Sequence, residues 1–288
     1  MATSNPDEIR ERQRLEWRAA SNGWRKWDKQ LMRNLQPVSD MMIKSAGIAS
    51  GQYVLDVATG SGEPALTIAS IVGPLGGVVG VDISPEMLEV ARERASSQGL
   101  RNVAFQVIED ENLSVFHNNT FDAVLCRLGL MFVPEPVKAL RGFWRVLKPG
   151  GKTSVAVWGP PEKAPFFTTV MKAIMKHVPD IKATPSGTPG GPFGIPSPDI
   201  LRDFFVQAGF SNLNVQTSEI AFGQLDSAEE YWEYTSEVGG PMVILLSKLN
   251  SEKKQAIQTD VIESVRRMFP AGPVRLTGEL IVGTCTKL

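Results

Sequence analysis

The chain has little from which to build a metal centre or a disulfide framework. Two cysteines, Cys126 and Cys285, and two histidines, His117 and His177, stand among 288 residues. A zinc site needs more such ligands at close spacing, so no metal is expected, and two distant cysteines read as free thiols. An excess of charge of one sign is missing too. Thirty basic residues face thirty-one acidic ones, and the densest basic stretch, Arg10 to Arg33, is interleaved with Glu11, Glu16 and Asp28. That pattern reads as a solvated helix face and not as the phosphate-tracking surface of a nucleic-acid binder. No apolar run approaches the ~20 residues that cross a bilayer. The charged first thirty residues carry no apolar stretch of signal-peptide type. A cytoplasmic protein that neither binds nucleic acid nor inserts into a membrane is the expectation. Oligomeric state stays open, a homodimer included.

What is present is an alternation. Short apolar runs near 52–57, 78–82, 102–108, 121–126 and 152–158 read as strands, with amphipathic segments near 64–72, 85–97 and 136–147 between them as helices. Such alternation predicts right-handed crossovers and a doubly wound α/β sheet, and the first strands lack the polar/apolar alternation of a one-sided sheet. A helix is expected over 6–34 and a second over Pro37–Ala46, its proline at the first turn and Gly47 past its end. After Trp158 come a helix near 164–178, a Pro/Gly-rich loop, a helix near 198–208 and a strand near 212–222. Two or three helices then fill 227–268, and "VRLTGELIVGTCTKL" is the final strand. The resulting division is an N-terminal helical cap (1–48), a Rossmann-like core (49–160), a helix with a Pro/Gly-rich lid insertion (161–196), a core helix and strand (197–225), a helical insertion (226–271) and a last core strand (272–288).

The segment "YVLDVATGSGEPALTIAS" is strand, glycine turn and helix. Gly60 to Ala65 matches G-x-G-x-x-[G/A], and Asp82 follows at the spacing of a ribose-binding acid, so the glycines alone also admit a nicotinamide-dependent oxidoreductase. Two acids oppose a dinucleotide. A pyrophosphate is repelled by Glu63 at the helix start and by Asp56 at the strand end, whereas an ammonium group favours Asp56. A carboxylate at the end of a buried strand needs a donor or a cation, and no fixed basic neighbour is evident near it in sequence. Asp82 suits two ribose hydroxyls, since Ser84 is free to cap the helix at Pro85. "VIEDENL" places Glu109, Asp110 and Glu111 at the third strand's C-terminal edge, where open α/β sheets bind ligands and an acid can accept the amino group of an adenine.

"VLDVATGSG", "GVDISPEML", "FDAVLCRLGLMFV" and "LKPGGK", in this order and spacing, resemble the class I S-adenosylmethionine-dependent methyltransferases, in particular the small-molecule group with the ubiquinone and menaquinone C-methyltransferases. The resemblance implies a seven-stranded sheet with an antiparallel last strand and S-adenosyl-L-methionine as cofactor. It also implies Asp56 toward the methionine ammonium, Ala58, Gly60 and Gly62 as the loop beneath it, and Asp82 on the ribose. Ile83 and Met87 would then flank the adenine, Glu109 and Asp110 would meet its edge, and Arg127 would make a backbone contact to the amino-acid end. Ala58 departs from the glycine many members have. The rivals are an NAD(P)-dependent oxidoreductase, which lacks a Tyr-x-x-x-Lys signature here, and a non-catalytic binding module. A nucleic-acid methyltransferase is disfavoured by "CRLG" in place of an "NPPY"-type tetrapeptide.

Methyl transfer from a sulfonium is helped by a dry pocket that aligns the reactants. Apolar material for the acceptor side is Trp24, Trp27, Met131, Phe132, Trp158 and Phe167, with Trp17 on the same helix face as Trp24 and Trp27. It suits a small hydrophobic or aromatic acceptor such as a quinone-like ring, phenol or indole, methylated on C, N or O. For a general base His177, which ends the helix near 164–178, is a candidate if it faces the pocket, against the alternative of a surface or satisfied histidine. Tyr231, Tyr234 and Glu16 have nothing specific in their favour, and His117 lies in a turn. Proximity and desolvation are expected to dominate.

Overall fold

The computed structural model describes residues 5–181, 184–270 and 272–288. Seven strands form one sheet: β1 (Tyr53–Val57), β2 (Gly77–Asp82), β3 (Val103–Val107), β4 (Phe121–Arg127), β5 (Leu147–Trp158), β6 (Ser211–Leu225) and β7 (Val274–Thr286), in the order β3-β2-β1-β4-β5-β7-β6. The five strands β1 to β5 pair in parallel, and β7 runs antiparallel to both β5 and β6. The doubly wound sheet with an antiparallel last strand is therefore the observed fold. Strand β1 is buried from Val54 to Val57, as expected of a strand covered on both faces, whereas β3 at the sheet edge stays half-exposed. The order reverses between β2-β1 and β4, and ligands of such sheets bind at this switch point.

The crossover helices are α3 (Ala65–Val72), α4 (Pro85–Ser97), α5 (Pro136–Val146) and α7 (Pro198–Ala208). Ser84 caps α4, its hydroxyl accepting from Met87 N at 3.3 Å, and Ser197 caps α7 in the same way. Three helices fill the later insertion: α8 (Ala228–Val238), α9 (Gly240–Ser247) and α10 (Ser251–Met268), with α6 (Pro165–His177) ahead of α7.

The N-terminal helices break elsewhere than the sequence suggests. Helix α1 covers Pro6–Lys26 and α2 covers Asp28–Ala46; the break falls at Trp27, and Pro37 lies inside α2. A helix-interior proline costs about 3 kcal/mol. The buried stripe Leu31, Leu35, Val38 and Met42 runs straight through that position, and each such side chain contributes about 1.5–3 kcal/mol on burial. Four of them outweigh one proline, so the helix continues. Helix α1 lies close on α8 and α9: a Cβ at Gly23 would collide with Glu237 O, and one at Gly240 would come within 2.9 Å of Glu16 O.

Candidate active site

The C-terminal ends of β1, β2, β4 and β5 open into a cavity of about 480 Å³, covered by α1, by α8 and α9, and by the loop after α6. One half is polar and belongs to β1, β2 and β3. The other half is apolar and is shared by the helical additions, the turn after β4 and residues of β5 and β6.

In the polar half Asp56 is fully buried. Its Oδ2 accepts from Thr59 Oγ1 at 2.6 Å and from Ala65 N at 3.1 Å, while Oδ1 has no hydrogen-bond partner among the described residues. Asp56 sits behind the loop and is not part of the cavity wall itself. Burial pushes its carboxyl up to about 7, against the opposing pull of the Thr59 hydroxyl and the Arg127 charge. Arg127 is thus a positive neighbour that sequence reading missed, because it comes from β4, which pairs directly with β1.

Ala58 has φ 56° and Gly60 has φ 54°, and both line the cavity. A left-handed alanine costs roughly 1–2 kcal/mol. It is accommodated by Gly129, where a Cβ would collide with the Ala58 methyl. Gly62 is different. It does not line the cavity, and a Cβ there would meet Leu66 and Ala91 within 3.2 Å. The expected ligand glycine is a packing glycine that lets α3 and α4 close together.

Asp82 is 7% exposed and lines the cavity. Its Oδ2 accepts from Gly60 N and its Oδ1 from Ser84 N, each at 2.9 Å. Ile83, Met87, Glu109 and Asp110 line the cavity around it. The Asp110 carboxylate is engaged by Ser114, whose hydroxyl donates at 2.6 Å, so Glu109 is the freer acceptor on this edge. Glu111, third of the acidic run, turns to α1. Arg10 Nε and Nη2 donate to its two oxygens at 2.9 and 2.8 Å, a fork that latches the N-terminal helix over the ends of the sheet. Glu63 is buried beside Arg94 at 3.3 Å and lines the cavity at the start of α3, where a pyrophosphate would meet its charge.

In the apolar half Trp24, Met131, Phe132, Trp158 and Phe167 all line the cavity as the sequence suggests. Trp24 Nε1 donates to Val238 O at 2.9 Å, which fixes the indole against α8. The expectation for Trp27 is corrected. Its ring packs edge-on to Tyr234 and its Nε1 donates to Glu237 at 2.7 Å, outside the cavity wall, because the helix break at Trp27 turns it off the face of Trp17 and Trp24. Trp17 lines the cavity instead, together with Phe193 from the loop and Phe222 from β6. Trp17 was legible from its helical spacing; Phe193 and Phe222 carry no local signal.

His177 is also corrected. It ends α6 facing α10, with Nε2 2.6 Å from Asp260 Oδ2, and does not reach the cavity. The stagger of α6 carries its C-terminal turn past the cavity to the outer helix. Tyr231 donates to Phe166 O, and Glu16 is held by Gln13 at 2.9 Å; neither lines the cavity, nor does Tyr234. Replacing His177 with alanine is expected to leave turnover within about twofold and to cost at most ~1 kcal/mol of stability, as for other half-exposed pairs. Kinetics with a thermal melt check this; a several-hundredfold loss of turnover would restore His177 as the base.

The fit to a cationic, phosphate-free nucleoside rests on the orphaned Asp56 oxygen, the backbone at Ala58–Gly60 and the acid at Asp82. Comparisons with known proteins agree. A family model described as a methyltransferase domain matches residues 48–185. A demethylmenaquinone methyltransferase of Staphylococcus aureus is 32% identical over 184 residues, covering 61% of this chain and 75% of that one. Among solved structures, phosphoethanolamine N-methyltransferase 2 of Haemonchus contortus, bound to phosphomonomethylethanolamine and S-adenosylhomocysteine, has a TM-score of 0.54 at 19% identity over 88% of this chain and 53% of that one. The [4+2]-cyclase SpnF has a TM-score of 0.55 at 21% identity over 88% and 81%, a likeness of fold alone. Among the described residues no helix is long and apolar enough to cross a membrane. The 32% identity over three quarters of the Staphylococcus aureus enzyme shows the family: the chain is a class I S-adenosylmethionine-dependent methyltransferase.

Proposed function

We propose that the acceptor is a small, uncharged or singly ionised aromatic molecule, held in the apolar half of the cavity. The single observation that carries this reading is the ring of Trp17, Trp24, Phe132, Trp158, Phe167 and Phe222 facing the polar half. Aromatic walls favour flat, apolar partners through offset and edge-on contacts. The demethylmenaquinone methyltransferase relative supports a fused-ring, quinone-like scaffold as the first acceptor to try.

In this reading Asp82 holds the ribose hydroxyls with the lone pairs left over from Gly60 N and Ser84 N. Ile83 and Met87 flank the adenine, and Glu109 accepts at its edge. Asp56 Oδ1 answers the ammonium at the amino-acid end. S-adenosylmethionine supplies a methyl carbon activated by a sulfonium. The chain's own contribution is alignment and the exclusion of water: α1, α9 and the loop after α6 close the cavity, and positive charge that disperses during transfer is not held back by solvent. Among the described residues no histidine, lysine or tyrosine lines the cavity. The Cys126 thiol, which does line it, is pushed up to about 12 by burial and offers no base. Carboxylates do line it, Glu63, Asp82, Glu109, Asp110 and Glu111, so the acceptor that fits is one whose nucleophile needs no base stronger than a carboxylate.

The test is incubation of the purified protein with methyl-labelled S-adenosylmethionine and small-molecule extract of its host, followed by identification of the labelled product. An apolar aromatic product is expected. Label on a polar amine or on a macromolecule would overturn the acceptor reading while leaving the family intact.

A further inference from the structure

Arg127 ends β4 with its side chain buried and part of the cavity wall. Only Nη1 is engaged: it donates to Ser39 Oγ at 2.9 Å and to Leu35 O at 3.4 Å, both on α2. Among the described residues no other donor of the guanidinium has a hydrogen-bond partner, and no carboxylate forms an ion pair with it. The charged and titratable groups around it are Glu63 before α3, Asp56 on β1, Arg94 on α4 and Tyr234 on α8. The Tyr234 hydroxyl, fully buried, also lacks a well-formed hydrogen bond. A buried cation without a paired anion is strongly disfavoured unless something else supplies the charge. The fork is anchored at one nitrogen, and Leu31 and Leu35, from the helix that anchors it, line the apolar half of the cavity.

We propose that the Arg127 side chain binds an ionised ring oxygen of the acceptor, a phenolate or the enolate of a hydroxylated quinone-type ring. This rests on the methyltransferase reading of the cavity and deepens it, since the role differs from a backbone contact to the cofactor. The hydroxyl proton leaves to solvent water as the acceptor binds. The guanidinium holds the oxyanion, whose electron pair, on oxygen or on the conjugated ring carbon, is then the nucleophile. An arginine that stabilises the anion lets the acceptor ionise without a histidine, lysine or tyrosine base, none of which lines the cavity among the described residues. A charge-assisted hydrogen bond in a dry site shifts the acidity of a bound phenol by one to two units, so that about ten to a hundred times more of it is ionised at a given pH.

The experiment uses the full chain saturated with S-adenosylhomocysteine and 4-nitrophenol as probe, whose phenolate is coloured and whose phenol is not. Titrated by absorbance, wild-type-bound probe is expected to ionise at least one unit below free probe. Arg127→Gln is expected to abolish the shift and weaken phenolate binding tenfold or more, with 4-nitroanisole binding and S-adenosylhomocysteine affinity within threefold of wild type. Arg127→Lys should retain part of the shift. An unshifted or raised value in the wild type, or failure of millimolar probe to bind, overturns the proposal without recourse to a variant. A tenfold loss of S-adenosylhomocysteine affinity in Arg127→Gln, with calorimetry as readout, overturns it by placing the side chain on the cofactor's carboxylate. Failure of the wild type to bind S-adenosylhomocysteine would remove the cofactor reading and this one with it.

Discussion

Asp56→Asn is expected to lower the affinity for S-adenosylmethionine about 100-fold at pH 8 and to erase the pH dependence of binding. Asparagine keeps the shape and can still accept from Thr59 Oγ1 and Ala65 N with its carbonyl oxygen. Its amide nitrogen then occupies the place of Oδ1, which has no partner among the described residues, and presents donors to an ammonium that also donates. Loss of a charged hydrogen bond costs about 1.5–3 kcal/mol, which sets the scale of the effect. The pH dependence follows from the same carboxyl, raised from 3.8 to about 7 by burial. An ammonium ligand binds the ionised form, so below about pH 7 binding must release a proton, and affinity should fall about tenfold per pH unit.

For the empty protein the sign is opposite. Between 3.8 and about 7 the folded state holds a proton that the unfolded chain has already lost, so this group's contribution to stability declines as pH rises through that window. Asp56→Asn should therefore be no less stable than wild type at pH 8. Calorimetric titration from pH 5.5 to 8.5 with thermal melts checks both halves. Wild-type affinity flat across that range, or an asparagine variant within threefold of wild type, contradicts the assignment.

Asp82 should behave differently under the same substitution. Both of its oxygens accept backbone N–H groups, Gly60 N and Ser84 N. An asparagine in either orientation sets an amide nitrogen against one of them. Asp82→Asn is thus expected to be about as damaging as Asp82→Ala, with a buried donor left unsatisfied at ~1–3 kcal/mol and loss of the paired contacts to two ribose hydroxyls. The expected result is at least a 100-fold loss of cofactor affinity together with a lower melting temperature. Asparagine that binds the cofactor as well as aspartate does would show that the ribose lies elsewhere. The contrast between two neighbouring acids, one replaceable in the fold and one not, separates a ligand role from a structural one.

The division between sequence and structure is visible in particular residues. The placement of the cofactor half was legible because it is local, although Asp56 lies behind the cavity wall and not in it. Strand, turn and helix around Asp56, Ala58 and Gly60 are contiguous, and Asp82 with Ser84 stands at a spacing that the crossover geometry dictates. Gly62 was misread because a ligand glycine and a packing glycine look alike until Leu66 and Ala91 are placed beside it. The acceptor half was legible only in part. Trp24 and Phe132 follow from helix face and strand end, but Phe193 and Phe222 reach the cavity from a loop and a late strand with no period to announce them.

The chain's apolar alternation, its punctuating glycines and its acids at strand ends determined a doubly wound sheet and a site for a cationic nucleoside, since backbone period and burial of charge are properties of short segments. What only the tertiary structure decided is where α1 breaks, which aromatics face the cavity, and that Arg127 stands buried and half-engaged near Asp56 in the cavity wall. These depend on sums of packing energy and on electrostatic neighbours brought together from β1, β4, α2 and α8. No window of sequence contains them.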